Sequence, residues 1–514
     1  MAVFYLKQKE KRRKISVICV NDFHASLIES SSSLGGAKLV SAIRKYKSVC
    51  EGSVTVFGGD NYLGDPVSEL LDGEPVTSVM RALDVRASVI GNHDFDFGTD
   101  ALMRWQIHGE YKFVAANLID RTTGNIPEFA APYYMTQVGP LKVALIGLAT
   151  KEKLDTPDRP LEMRNYQITD GVQAAHKWTE YLREGKDPAG KPDVIIALTH
   201  FGFKFSAGEG LEGIEIHELC KAVPQLDGAF AAHWHQWMKT FICGVPVAEG
   251  GSYGRGFAAI EIYLDDDGKI EAVRPDYIDL LPLKNTLKED AAVKRSIADC
   301  FEKASKQMDE VIAVAEEDIP HRDPATGRIN IIGSPLSRLA TQAMLHKTRC
   351  GIALLYSGRM GSGFKKGHIT RYQYYQTMRF ANGLVTAELQ GKDLLRNIET
   401  GMRTLENDGA SPLAVDGIDV QVDMSKPQGR RVAGAAFPNG EPVEPERYYS
   451  VVMDDYIADD PLGFDFSNDR NRRYLNINLR QLLLEEICGH RLRCEAPSNI
   501  TSIGDSSPAP ADTI

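Results

Sequence analysis

Six short apolar runs in the first half of the chain end in polar, metal-capable residues, and no other feature constrains the fold as tightly. "ISVICV" stops at Asn21 and Asp22, with His24 two residues on; "VTVFG" stops at Gly59 and Asp60; "ASVI" stops at "GNHD", which contains Asn92, His93 and Asp94. "KFVAA" stops at Asn117, "DVIIAL" at Thr199 and His200, and "GAFAA" at His233, followed by His235. From about residue 15 to 264 such runs, rich in Val, Ile, Ala and Phe, alternate with helix-like segments, which predicts an α/β domain around a buried sheet. In open α/β sheets the carboxyl edge of the strands is where ligands bind. A lone His after a strand is usually satisfied by its own loop. Six such endings converging on one sheet edge point to a site.

The residue types decide the chemistry of that site. Asp22, His24, Asp60, Asn92, His200, His233 and His235 offer seven oxygen or nitrogen donors and no sulfur. That set suits hard or borderline divalent ions such as Mn²⁺, Zn²⁺ or Fe²⁺ rather than a structural cysteine-zinc site. Seven donors are too many for one tetrahedral zinc and fit two ions sharing a bridging carboxylate. Two metals about 3.5–4 Å apart can polarise a phosphoryl group and hold a hydroxide at neutral pH. Asp22 with His24, and His233 with His235, are spaced i and i+2, so in an extended strand end both members of each pair would reach one face.

The rest of the chain narrows the partner classes. A nucleic-acid polymer would usually call for a basic face, and a formal net charge of −11 with a single dense basic run argues against one. The one dense basic run, "KQKEKRRK" (Lys7 to Lys14), reads as a solvated N-terminal arm covering residues 1–14. No run of about 18 apolar residues is present and the first residues do not have the order of a secretory signal, so neither a membrane span nor export is expected. Eight scattered cysteines without a CxxC pair read as reduced thiols, and the expected location is cytoplasmic.

The length of 514 residues predicts two domains. The first is expected over residues 15–285. "TLKEDAAVKRSIADCFEKASKQMDEVI" has a long helical pattern, with Thr286 and Glu289 as a capping box, and is expected to link the domains over 286–312. A second, smaller α/β domain is expected over 313–496, and the Ser/Pro-rich residues 497–514 read as a disordered tail. No heptad run or signature interface is readable, so no oligomeric state is assigned.

In order, the blocks "NDFH", "GGD", "GNHD", "TH" and "AHWH" resemble the motif set of the calcineurin-like metallophosphoesterases, with Ala232 standing for the Gly of the last motif. The longer match "GNHDFDFG" and the second domain resemble the 5′-nucleotidase and UDP-sugar hydrolase branch of that family. The resemblance implies a four-layer αββα sandwich followed by the linking helix and a second, smaller α/β domain. It implies that Asp22, His24, Asp60 and His235 hold one metal, and Asp60, Asn92, His200 and His233 the other, with Asp60 bridging. It makes His93 a catalytic residue that stabilises the transition state and protonates the leaving oxygen, and Asp96 the carboxylate that orients it. Asp94 would fix the loop or a ligand. Asn117 matches a position near the substrate phosphate.

The resemblance also gives the second domain the specificity pocket. The segment from His368 to Gly401 resembles it clearly, and its "RFAN" places Phe380 as a ring that stacks on a base, worth about 1–3 kcal/mol. Elsewhere the family pattern is broken. In "YSGRMGSGF" Tyr356 stands for an Asn and Gly361 for an Arg, with Arg359 two residues earlier as a substitute charge. In "SRLATQA" Arg338 replaces an Asn and Gln342 an Asp; in "LGFDF" Phe464 and Phe466 are candidate rings and Asp465 a candidate ribose contact. Arg359, Arg371 and Arg379 are candidates to grip a phosphate.

These residues imply a metal-dependent phosphomonoesterase of the 5′-nucleotidase type, in which hydroxide held by two ions attacks phosphorus in line and His93 assists the leaving alkoxide. The implied partner is a small phosphoester, foremost a nucleotide. A second enzymatic reading is a phosphodiesterase or pyrophosphatase acting on cyclic nucleotides, nucleotide sugars or a specialised metabolite. A third is a catalytically silent nucleotide-binding protein.

Overall fold

The computed structural model describes residues 13–151, 165–203, 214–322, 329, 333–378, 382–402, 413–458, 463–494 and 499–503. The chain divides into two compact units, Met1–Ala304 and Ser305–Ile514. Among the described residues no helix is long and apolar enough to cross a membrane.

The first unit contains β1 (Arg13–Val20), β2 (Gly52–Phe57), β3 (Val85–Val89), β4 (Lys112–Val114), β5 (Leu118–Asp120), β6 (Tyr133–Val138) and β7 (Leu141–Leu148). After them come β8 (Tyr166–Ile168), β9 (Val194–Thr199), β10 (Gly228–Phe230), β11 (Trp237–Ile242), β12 (Val245–Gly250), β13 (Gly256–Leu264) and β14 (Ile270–Asp279). They form two six-stranded sheets, in the orders β14-β13-β1-β2-β3-β4 and β11-β12-β10-β9-β7-β6, while β5 pairs with β8. The central strands of each sheet run parallel: β1 beside β2, β2 beside β3, β3 beside β4, and β7, β9, β10 and β12 in turn.

Period-two alternation explains how the sheets stack. Ile15, Val17 and Cys19 of β1 face Val143, Leu145, Ile196 and Leu198 of the other sheet in one shared core. Ile18 and Val20 face the opposite way, against Leu39, Val40 and Ile43 of the helix Gly36–Lys47. The outer face of the second sheet packs Ile195 and Ala197 on Leu182, Ile216 and Leu219, from the helices Gly171–Arg183 and Glu215–Ala222. The result is a four-layer αββα sandwich. Strands buried on both faces read as continuous apolar runs, which is why the run endings are so clear in the sequence.

One expectation is corrected here. β1 to β4 belong to one sheet and β9 and β10 to the other, so the six endings do not share a single sheet edge. They meet because the two sheets pack face to face, and Asn21 ties them at that end. Buried beyond β1, its amide donates to the Ala231 carbonyl at 2.8 Å and accepts from the Gly250 N–H at 2.9 Å.

Three boundary expectations also change. The helix runs Ala291–Met308 and is capped by Asp290, whose carboxylate accepts from the N–H groups of Ala292 and Val293. Thr286 instead ends a 3₁₀ turn, its hydroxyl donating to Leu283 O, so the Thr286–Glu289 box does not form. Arg13 and Lys14 are not part of a solvated arm: they open β1 and pair with Glu51 and Glu261. Residues 1–12 lie outside the described residues. In the tail, Ile500–Ser502 forms a strand parallel to Val420–Val422, with Ile500 buried in the second unit's core; residues 504–514 lie outside the described residues.

The second unit is built on a five-stranded sheet ordered Leu413–Asp416, Ile352–Tyr356, Tyr448–Asp454, Gly383–Gln390, Arg470–Asn478. One face packs Leu355, Leu384 and Val452 against Leu336, Met344 and Leu483 of the helices Pro335–Thr348 and Leu479–Ile487. The other packs Ile352, Leu354 and Val385 against Leu394 and Ile398 of the helix Gly391–Gly401.

Candidate metal centre

Two groups of candidate ligands form at the carboxyl ends of the paired sheets: Asp22, His24 and His235, and Asp60, His200 and His233, the ligand atoms of each group lying within 4.8 Å of one another. Asn92 joins the second group, its side-chain oxygen 3.2 Å from His200 Nε2. Asp60 lies between them, its Oδ2 4.0 Å from His24 Nε2 and 3.4 Å from His200 Nε2. His235 Nε2 is 3.6 Å from Asp22 Oδ1.

Backbone geometry, rather than strand extension, aims these side chains. Asp22, His24, Asp60, His233 and His235 have φ of 43°, 46°, 52°, 73° and 58°, all in the left-handed region that non-glycine residues rarely adopt. Such strain persists only where the surroundings over-determine it, and it gathers at functional sites. The i, i+2 expectation therefore fails for His233 and His235, which fall in different groups. Glycine is required where the loops cross: a Cβ on Gly91 would lie 2.2 Å from Asp60 Oδ1, and one on Gly59 would lie 2.7 Å from both Gly91 N and His200 Nδ1.

Hydrogen bonds then fix each donor. His24 Nδ1 faces Leu63 O at 3.1 Å and His200 Nδ1 faces Gly58 O at 2.6 Å. A carbonyl can only accept, so both rings carry a proton on Nδ1, and the nitrogen left for an ion is Nε2, the atom turned into the cluster, from which an ion would displace any further proton. The Asp94 carboxylate accepts from the backbone N–H groups of Asp60 (3.0 Å), Asn61 (3.0 Å) and Gly91 (2.9 Å), which clamps the two loops together. His93 is in neither ligand group; its backbone N–H donates to Asp60 Oδ1 at 2.8 Å and its Nδ1 to Asp96 Oδ2 at 2.8 Å.

The electrostatics call for a cation. Among the described residues no lysine or arginine pairs with Asp22 or Asp60, which are 0% and 2% exposed. Burial pushes the Asp22 carboxyl up to about 8 and the Asp94 carboxyl up to about 7, the latter helped by Asp60. Asp60 goes the other way: burial opposes ionisation, but His200 and His93 beside it hold the carboxyl well below its usual range. For His200 burial works against the proton, yet Asp60 outweighs it and raises the imidazole to about 10. Burial lowers His24 to about 4 and His235 to about 3. Buried carboxylates compensated only by protons are what divalent ions displace, so this donor set fits two such ions.

Two residues support the site in ways that the sequence does not reveal. Asn21 staples the sheets, as above. Glu249, 0% exposed, accepts from the Gln236 N–H at 2.7 Å and so supports the turn that carries His235. Asn21 opens the "NDFH" block, but its stapling role is not readable there because its partners, Ala231 and Gly250, lie far along the chain.

The substrate-contact expectations fare differently. Asn117 is fully buried; its amide donates to Ala149 O at 2.8 Å and accepts from Ala149 N at 2.9 Å, so it joins two loops and offers nothing to a phosphate. Phe464 and Phe466 are 1% and 3% exposed within the second unit's core, stacked on each other, and present no open ring. Asp465 has one oxygen on Ser467 and the other 2.9 Å from Arg396, which makes it a turn anchor instead of a ribose contact. Arg371 is paired with Glu310 at 2.6 Å and is not poised for a phosphate. Arg359 ends a 3₁₀ turn, but its side chain lies outside the described residues, as do Arg379 and Phe380 altogether.

Residues 311–468 match the family described as 5′-nucleotidase, C-terminal domain. The chain is 26% identical over 439 residues to the endonuclease YhcR of Bacillus subtilis, covering 81% of this chain and 34% of that protein. It is 23% identical over 509 residues to an apyrase of Tabanus yao, covering 90% of this chain and 88% of that one. The chain thus spans about a third of the first relative and most of the second. In structure it is similar to a 5′-nucleotidase precursor from Thermus thermophilus, with a TM-score of 0.66, 23% identity, and coverage of 96% of this chain and 100% of that one.

Proposed function

We propose, on the premise of its match to the 5′-nucleotidase C-terminal domain over residues 311–468, that this chain is a metal-dependent hydrolase of small phosphoesters, foremost the phosphate monoester of a nucleotide. The observation that carries the proposal is the pair of buried ligand groups meeting at Asp60, with His93 and Asp96 beside them. Asp22, His24, Asp60 and His235 would hold one ion, and Asp60, Asn92, His200 and His233 the other. Oxygen and imidazole donors suit Mn²⁺, Zn²⁺ or Fe²⁺. When bound, two such ions supply Lewis acidity toward the phosphoryl oxygens and hydroxide at neutral pH.

The chain's own groups do the rest. With Nδ1 bound to Asp96, the proton available to a leaving group sits on Nε2 of the His93 imidazolium. As the P–O bond breaks, that proton passes to the departing oxygen, and Asp96 compensates the charge on the ring before transfer. Asp94 holds the two loops so that Asp60 and His93 keep their spacing.

A second reading, hydrolysis of a diester or pyrophosphate, is favoured by the second unit: Phe464, Phe466 and Asp465 are committed to its own packing and not to a nucleoside. The test is phosphate release from nucleoside mono-, di- and triphosphates, cyclic nucleotides, nucleotide sugars and sugar phosphates with Mn²⁺ or Zn²⁺, beside His93→Ala. Metal-dependent release from monophosphates, lost in the variant, is the expected result. Release only from diesters or pyrophosphates would select the second reading, and silence across the panel with metal bound would leave a binding protein.

A further inference from the structure

A ligand imidazole normally donates its second nitrogen to a fixed acceptor, which sets the angle of the ring. His24 and His200 have such acceptors, the carbonyls of Leu63 and Gly58. His235 does not. Among the described residues its ring meets Asp22, His24 and Tyr253, and no backbone carbonyl accepts from it. Its side chain is 32% exposed, against 6% for His24 and 0% for His200.

Tyr253 fills that role by shape. It lies in the loop between β12 and β13, with its backbone N–H donating to Asp22 O at 2.8 Å. Its ring stacks on His24 at 5.1 Å and 30°, and meets His235 edge-on at 5.2 Å and 85°. One aromatic ring therefore braces both imidazoles of the Asp22, His24, His235 group. Tyr253 holds a φ of 55°, a conformation that residues with a Cβ rarely take, while its ring lies against the two imidazoles. Held strain of this kind points to function. An imidazole that gives its lone pair to a cation becomes electron-poor, and the negative face of an aromatic ring attracts it.

We propose that Tyr253 is a positioning residue for one ion only: it orients His235, and with it His24, toward the ion held by Asp22, His24, Asp60 and His235. The inference rests on the two-ion reading above. Removing the ring leaves the second ion's donors, Asp60, Asn92, His200 and His233, as they were.

The experiment titrates Mn²⁺ into the full chain after chelation, counting free ion by electron paramagnetic resonance, for the wild type, Tyr253→Ala and Tyr253→Phe. Expected are two ions in the wild type, one of the two weakened about 10–100-fold in Tyr253→Ala, and both retained in Tyr253→Phe, which keeps the ring. At limiting Mn²⁺ the Ala variant loses kcat with KM little changed, and saturating Mn²⁺ restores it. Urea unfolding of the chelated proteins checks that the Ala variant is folded. Two ions bound as tightly in Tyr253→Ala as in the wild type would overturn the inference alone, as would equal weakening of both sites. Fewer than two ions in the wild type would overturn the two-ion reading itself.

Discussion

Replacing Asn21 with Ala removes the side chain that joins the two sheets next to the metal centre. Two backbone groups then lose their partners, the Ala231 carbonyl at 2.8 Å and the Gly250 N–H at 2.9 Å. A buried polar group left unpaired costs about 1–3 kcal/mol, so the pair gives about 2–6 kcal/mol, and a water admitted to the vacated space brings the expected value to about 3 kcal/mol. With a urea m-value of about 3 kcal/mol/M for a unit of this size, the midpoint falls by about 1 M. The assay isolates the right unit, because all four tryptophans, Trp105, Trp178, Trp234 and Trp237, lie within Met1–Ala304. Their fluorescence in chelated protein follows the unfolding of that unit alone. A loss below about 1 kcal/mol at unchanged m would refute the staple, since substitutions at sites without a buried partner fall in that range.

Asp96→Asn keeps the hydrogen bond to His93 but removes its charge; kcat should fall about 100-fold with KM nearly unchanged, and steady-state rates equal to the wild type would remove Asp96 from the mechanism. In metal-free protein, stability should fall as pH rises from about 6.5 to 8. Over that range Asp22, Asp94 and His200, raised to about 8, 7 and 10, keep protons that the unfolded chain has released, so the folded state binds more of them. His24 and His235, lowered to about 4 and 3, act oppositely, but only below about 6.5. Urea midpoints at three pH values check the sign, and a midpoint rising with pH would contradict it. Phe464→Ala should cost about 3–5 kcal/mol in the second unit's melting transition while leaving KM unchanged; a raised KM at unchanged stability would reinstate base stacking.

What could be read in the sequence follows from how local each signal is. A strand buried on both faces is a continuous apolar run, and the residue that ends it is the next letter, so Asp22, Asp60, Asn92, His200 and His233 announce themselves. That the runs belong to two sheets is not local: it depends on which strands pair, and parallel strands pair across long crossovers. The left-handed backbone at Asp22, His24, Asp60, His233 and His235 is not legible either: Asp and His tolerate that conformation better than most residues, but they are mostly found outside it, so the letter alone does not reveal it. Asn21, Glu249 and Tyr253 act on partners brought close only by the fold. The second unit misled for a simpler reason. An aromatic ring facing a pocket and one facing a core are the same letter, and Phe464 and Phe466 take the core.

The central claim is a dinuclear site sharing Asp60, and the most direct measurement is the electron paramagnetic resonance spectrum of the full chain reconstituted with Mn²⁺, together with its metal content. The account predicts two Mn²⁺ per chain with the signature of an exchange-coupled pair, and loss of the coupling in Asp60→Ala. A single ion, or two that behave as isolated centres, would contradict it.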